Sequence, residues 1–140
     1  MIKEAYVSFE TAKLLKEKGF DERSFASYDL KSQLQEGYGY WNKTPIWYAA
    51  PTHQMAMKWL REVRNIDIEV HADVGMLGVK VYTPFISRYK SSTEYPSKLR
   101  QYKNGLYFED DRGVIPGIRH FETYEDAVES ALKYTLENLI

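Results

Sequence analysis

Cationic and aromatic side chains are interleaved along residues 79–104. Lys80, Arg88, Lys90, Lys98, Arg100 and Lys103 stand there against Glu94 alone, a net of +5, with Tyr82, Phe85, Tyr89, Tyr95 and Tyr102 between them. Guanidinium and ammonium groups bind phosphate, and ring faces stack on bases. A nucleotide or a short single strand is the ligand such a stretch suits, with Arg88, Lys90, Arg100 and Lys103 on phosphate and Tyr89 and Tyr102 on the base. The same residues also fit a solvated loop whose cations pair with the acidic C-terminal helix. Residues 105–140 carry a net of −5 and residues 1–78 a net of −1.

A second cluster, Tyr38-Gly39-Tyr40-Trp41-Asn42, places three rings beside Gly37 and Gly39. Rings next to glycines can wall a planar ligand, with Tyr40 and Trp41 stacking, or the segment can fold back on the core. His53 falls in the first turn of an expected helix, where backbone N–H groups favour anions, so it either helps hold a phosphate or is a surface histidine without a role. His71 and His120 have no partner legible in the sequence. The three histidines show no H-x-x-x-H or H-E-x-x-H spacing, so no metal site and no metal cofactor is expected. There is no cysteine for a thiol nucleophile, no G-x-S-x-G elbow and no phosphate loop of the G-x-x-x-x-G-K-[ST] kind. No catalytic residue is therefore named. Asn42-Lys43-Thr44 matches a glycosylation sequon, which carries no meaning in a cytoplasmic chain.

Three helices must position these residues. The first is capped by Ser8, places Phe9, Ala12 and Leu15 on one face, and stops at Gly19. The second opens at Pro51-Thr52, with Met55, Ala56, Trp59, Leu60 and Val63 as its apolar stripe, and fails near Asn65. The third is capped by Thr123 and buries Val128, Ala131, Leu132, Thr135 and Leu139, with Glu125, Asp126 and Glu129 near its positive end. Strands are expected at 46–48, at 66–70 and from Leu77 to Phe85. A hairpin of 106–108 with 114–115 is also expected. Segment 87–104 reads as a long loop.

Clustered strands without βαβ alternation point to an α+β fold, a small antiparallel sheet packed by three helices in a single domain over 1–140. Length and composition agree. The 140 residues are 44% hydrophobic and 28% charged, enough for one core and too apolar for wholesale disorder. Aromatics reach 15%, with twelve tyrosines, residues at home both at core margins and in wet binding surfaces. A net charge of −1 argues against a dedicated nucleic-acid binder. No apolar run has the length of a membrane span, and the N-terminus MIKEAYVSFE lacks the apolar stretch of a signal peptide, so the host cytoplasm is the expected location.

SFETAKLLKEKGF at 8–20, PTHQMAMKWLREVRNIDIEV at 51–70 and YEDAVESALKYTLENLI at 124–140 together resemble small proteins encoded by phages and prophages of gut Bacteroidales. The matching blocks cover both ends and the middle, and consist mostly of helix caps and core stripes, so no catalytic or binding residue carries over. The resemblance implies a counter-defence setting, in which compact oligomers act as sponges for the nucleotide signals of Thoeris or CBASS immunity. Such a protein needs cations, rings and a pocket. The expectation is a non-enzymatic homo-oligomer that sequesters an ADP-ribose-type or cyclic nucleotide. A protein–protein inhibitor of a host defence enzyme is the alternative, and a metal-independent phosphodiesterase ranks last.

Overall fold

A hydroxyl caps the start of each helix. Ser8 Oγ accepts the Thr11 N–H at 3.2 Å and begins α1 (Phe9–Glu17). Thr52 Oγ1 accepts the Met55 N–H at 3.2 Å and begins α2 (His53–Arg64). Thr123 Oγ1 accepts the Asp126 N–H at 3.1 Å and begins α3 (Tyr124–Asn138). The ends are equally local. Gly19 takes φ 92°, and the N–H groups of Phe20 and Gly19 return to the carbonyls of Leu15 and Lys16, a left-handed helix stop. Asn65, at φ 54°, turns the chain out of α2 directly into a strand.

The computed structural model describes residues 1–75, 77–88, 99–101, 107–109 and 120–140, with side chains at 1–75, 77–87 and 120–140. The architecture is α+β, and the chain divides into two compact units, residues 1–59 with 132–140, and residues 60–131.

In the first unit, β1 (Ser24–Tyr28) lies between β2 (Leu34–Gly39) and β3 (Tyr48–Ala49), all antiparallel. Neither β1 nor β2 is legible in the hydrophobic pattern. Asp29 makes their turn, its carboxylate accepting the N–H groups of Lys31 and Gln33 at 2.8 and 3.0 Å, with Ser32 in the left-handed region at φ 63°. Ser24 pairs with Gly39 but Ala26 with Glu36, so Gly37 and Tyr38 together oppose Phe25 in a β-bulge. A short 3₁₀ turn, Trp41–Lys43, leads toward β3. The expected strand at 46–48 starts later, since Ile46 and Trp47 precede β3.

Two polar side chains tie α1 to this region. Lys16 Nζ donates to the carbonyls of Thr44 and Trp47 at 2.7 and 2.8 Å. Asn42 Nδ2 donates to the Phe20 carbonyl at 2.7 Å while its Oδ1 accepts the Ala49 N–H at 2.8 Å. Val7, Leu15, Phe20, Ala26, Ala49, Leu132 and Leu136 are among the buried residues of this unit.

The α2 stripe sits differently from its expected position. Met55 and Val63 are 40% and 55% exposed, whereas His53, Ala56, Met57, Trp59 and Leu60 are buried. The spacing 53, 56, 57, 60 is a regular helical face whose first member is a histidine, which hydrophobicity alone overlooks. The α3 stripe falls as expected, with Val128, Ala131, Leu132, Thr135 and Leu139 all buried.

Thr135 Oγ1 is buried with no hydrogen-bond partner among the described residues. Replacing it with isosteric valine removes an unpaid desolvation, so Thr135→Val is expected to stabilise the fold by about 1 kcal/mol and raise the melting midpoint by about 3–5 °C. Thermal denaturation followed by circular dichroism reads the shift, and a drop would show that the hydroxyl contributes to the native state.

In the second unit, β4 (Ile66–Val74) and β5 (Lys80–Arg88) form a regular nine-pair antiparallel hairpin from Ile66↔Arg88 to Val74↔Lys80. Its turn includes Gly78 at φ 74°, a conformation that suits glycine. The observed β4 runs further than the expected 66–70, and β5 starts after Leu77 and Val79, both exposed. β7 (Tyr107–Glu109) pairs antiparallel with β6 (Leu99–Gln101) and parallel with β5 at Phe85↔Tyr107, giving the order β4-β5-β7-β6. The expected hairpin arm at 114–115 lies outside the described residues.

The two histidines without a sequence-level partner both have one. His120 Nδ1 lies 2.8 Å from Thr83 Oγ1, beside the Tyr82–Phe121 backbone bridge. His71 Nε2 lies 3.2 Å from Glu69 on an exposed strand face. Burial raises the Asp67 carboxyl above its ordinary pKa, opposed by the Arg61 guanidinium at 4.0 Å.

Candidate functional site

The residues nominated by the sequence fall in two units. Tyr38, Gly39, Tyr40 and Trp41 belong to the first unit, and segment 79–104 falls within the second. Arg88 and Arg100 are placed as backbone in β5 and β6, and Tyr89, Lys90, Tyr102 and Lys103 lie outside the described residues. The pairing of these cations with the acidic C-terminal helix lies outside them too. His53 is 4% exposed, and its backbone N–H donates to the Ala5 carbonyl at 2.9 Å. It is a core residue and not a surface histidine, one of the two readings the sequence left open, because the side chain falls on the buried face of α2.

Trp41 is held by the strand before it. Its Nε1–H donates to the Gly37 carbonyl at 2.9 Å, and its ring lies 5.6 Å from that of Trp47. A Cβ on either Gly37 or Gly39 would stand 3.4 Å from the indole. The two glycines thus make a flat seat for the ring. The segment folds back on itself at Trp41.

Tyr40 does the opposite. It is 45% exposed, Lys43 Nζ stands 4.3 Å from its ring centre, and the Arg23 guanidinium stands 5.5 Å away. Arg23 also lies 5.0 Å from the Tyr38 ring, and Tyr38 packs at 4.6 Å on Phe25. Tyr38 and Phe25 are 53% and 64% exposed. The β1–β2 bulge sets Phe25 against Gly37 and Tyr38, so the hairpin presents a continuous strip, Lys43–Tyr40–Arg23–Tyr38–Phe25.

Neither Arg23 nor Lys43 has an ion pair or hydrogen bond among the described residues. Both cations rest on ring faces and keep their N–H donors for something else. Lys16 and Lys133 differ. The first is spent on two carbonyls and the second on Glu10 at 2.7 Å.

Phe25 continues into a groove of about 290 Å³ lined also by Lys3, Glu4, Tyr6, Glu36 and Thr52. A second groove, of about 380 Å³, runs between α1 and the end of α3, and the Lys133–Glu10 pair crosses it.

Arg23, Lys43 and Phe25 are the members of the strip that the sequence reading did not nominate. Arg23 stands alone before a segment with no strand signal, and only the β1–β2 pairing brings it over Tyr38 and Tyr40. Among the described residues, no three His, Asp or Glu side chains gather in a metal-binding group, and no helix is long and apolar enough to cross a membrane. No family model, curated protein or solved structure matches the chain.

Proposed function

We propose that this chain is a non-catalytic binding protein that sequesters a phosphate-bearing nucleotide, and that the strip on the β1–β2 hairpin is where the ligand sits. The observation that carries the reading is the pair of cations, unpaired among the described residues, stacked on exposed tyrosines. Two cations with free donors suit phosphate oxygens, and the ring faces beside them suit a base. The resemblance to phage and prophage proteins supports a counter-defence setting, in which the ligand is an immune signal and the protein acts as a homo-oligomer.

Arg23→Met keeps the aliphatic stem over Tyr38 and removes the guanidinium. It is expected to weaken nucleotide binding by about tenfold to a hundredfold, the worth of a charge-assisted hydrogen bond, while the free protein melts as before. Calorimetric titration with a panel of ADP-ribose and cyclic nucleotides measures the first, and circular dichroism the second. Ligand released by heat should return intact. Cleaved ligand would replace sequestration by catalysis.

The exposure of Phe25, Tyr38 and Tyr40 beside Arg23 also has the composition of a protein-binding hot spot, which favours the inhibitor of a host enzyme as a second reading. No melting shift across the nucleotide panel, together with a partner whose capture is lost in Arg23→Met, would decide for it.

A further inference from the structure

The groove beside Phe25 differs in charge from the strip that leads to it. Glu4 and Glu36 line it and are exposed, and neither carboxylate has a hydrogen bond or ion pair among the described residues. Lys3, Tyr6 and Thr52 complete its walls. Among the described residues, Arg23 and Lys43 thus lie unpaired along the Tyr40–Tyr38 part of the strip, and two unpaired carboxylates lie beyond Phe25 with Lys3 beside them. A phosphate is drawn to Arg23 and Lys43 and disfavoured in the groove, where Lys3 offsets only one of the two carboxylates. A neutral group rich in hydroxyls is welcome where the phosphate is not, because ionised carboxylates are acceptors and a vicinal diol offers two donors.

We propose that this groove takes the sugar of the bound nucleotide, Glu36 and Glu4 accepting its 2′- and 3′-hydroxyls while Phe25 packs on the sugar's carbon face. The inference rests on the reading of the strip as a nucleotide site and adds what that reading lacks, a preference for ribose over deoxyribose and a fixed direction for the ligand. The opposed charges at the two ends set that direction, and Tyr38 against Phe25 at 4.6 Å makes the surface continuous between them.

The probes are adenosine 5′-monophosphate and its 2′,3′-dideoxy analogue, titrated calorimetrically into the full chain and into Glu36→Ala, Glu4→Ala and Arg23→Met. The parent is expected to bind the ribonucleotide about tenfold more tightly than the dideoxy compound, as one charge-assisted hydrogen bond predicts. Glu36→Ala should bring that ratio close to one by weakening the ribonucleotide alone, and Glu4→Ala should lower it. Arg23→Met should weaken both ligands together. In amide spectra of the parent, the ribonucleotide should move Tyr6 and Thr52, and the dideoxy compound should leave them in place. Equal binding of the two ligands by the parent, with both weakened in Arg23→Met, would overturn the sugar site and leave the strip standing. Binding that Arg23→Met does not change, or no binding of either ligand, would overturn both.

Discussion

Asn42→Ala is expected to lower the midpoint of thermal unfolding by about 10 °C. The side chain makes two bonds to backbone groups of buried residues, giving its N–H to the Phe20 carbonyl at 2.7 Å and accepting the Ala49 N–H at 2.8 Å. Phe20 and Ala49 are 1% and 0% exposed, so neither main-chain group is well placed to turn to water. Leaving a buried donor or acceptor unsatisfied costs about 1–3 kcal/mol, which puts the pair at about 2–6 kcal/mol, and the middle of that range shifts the melting of a chain of this length by about 10 °C.

Asn42→Asp separates the two bonds. Its carboxylate still accepts from Ala49 but turns a second acceptor toward the Phe20 carbonyl. Protonation restores a donor there. The deficit of Asn42→Asp relative to the parent, measured at each pH, should therefore shrink as the pH falls through the carboxylate range, while that of Asn42→Ala stays constant. An alanine variant that melts within about 2 °C of the parent would show that the amide holds nothing in place.

Phe20→Ala should cost more. Phe20 is among the largest fully buried side chains, and its ring meets Trp59 edge-on at 5.5 Å. Truncating a buried phenylalanine removes about 3–5 kcal/mol, a large part of the roughly 5–15 kcal/mol that holds a small domain together. The variant is expected to unfold at markedly lower urea and to be partly unfolded in its absence. Phe20→Leu, which leaves a smaller void, should lose clearly less. Tryptophan emission gives the readout, since Trp59 loses its ring neighbour in the folded state. Equal urea midpoints for the parent and Phe20→Ala would mean that the site collapses without penalty.

What the sequence disclosed follows from where the physics is local. Ser8, Thr52 and Thr123 each cap a helix through an N–H three residues on, and Gly19 and Asn65 each end one by taking positive φ. The α3 stripe and the β4–β5 region were legible for the same reason. In β1 the pattern is inverted, since the small residues Ser24, Ala26 and Ser27 are buried while Phe25 is exposed. β2 is an edge strand with two glycines and four exposed residues, so no alternation marks it. A reading keyed to apolar periodicity passes over both strands. With them go Arg23 and the strip it completes. Tyr40 was legible because it stands in a dense aromatic cluster. Its role depends on Arg23, seventeen positions earlier in the chain. The Asp29 turn was the one local clue to the hairpin.

The bond from Asn42 to Phe20 has a practical consequence for making the protein. Asn42-Lys43-Thr44 is an acceptor sequence for oligosaccharyltransferase, an enzyme that acts on nascent chains before such an amide can be enclosed. In a eukaryotic secretory host, a sugar chain installed there would occupy the nitrogen that must reach a buried carbonyl. The product would be retained as a misfolded glycoprotein. Bacterial expression avoids the problem, and a secreted preparation would need Thr44 replaced first.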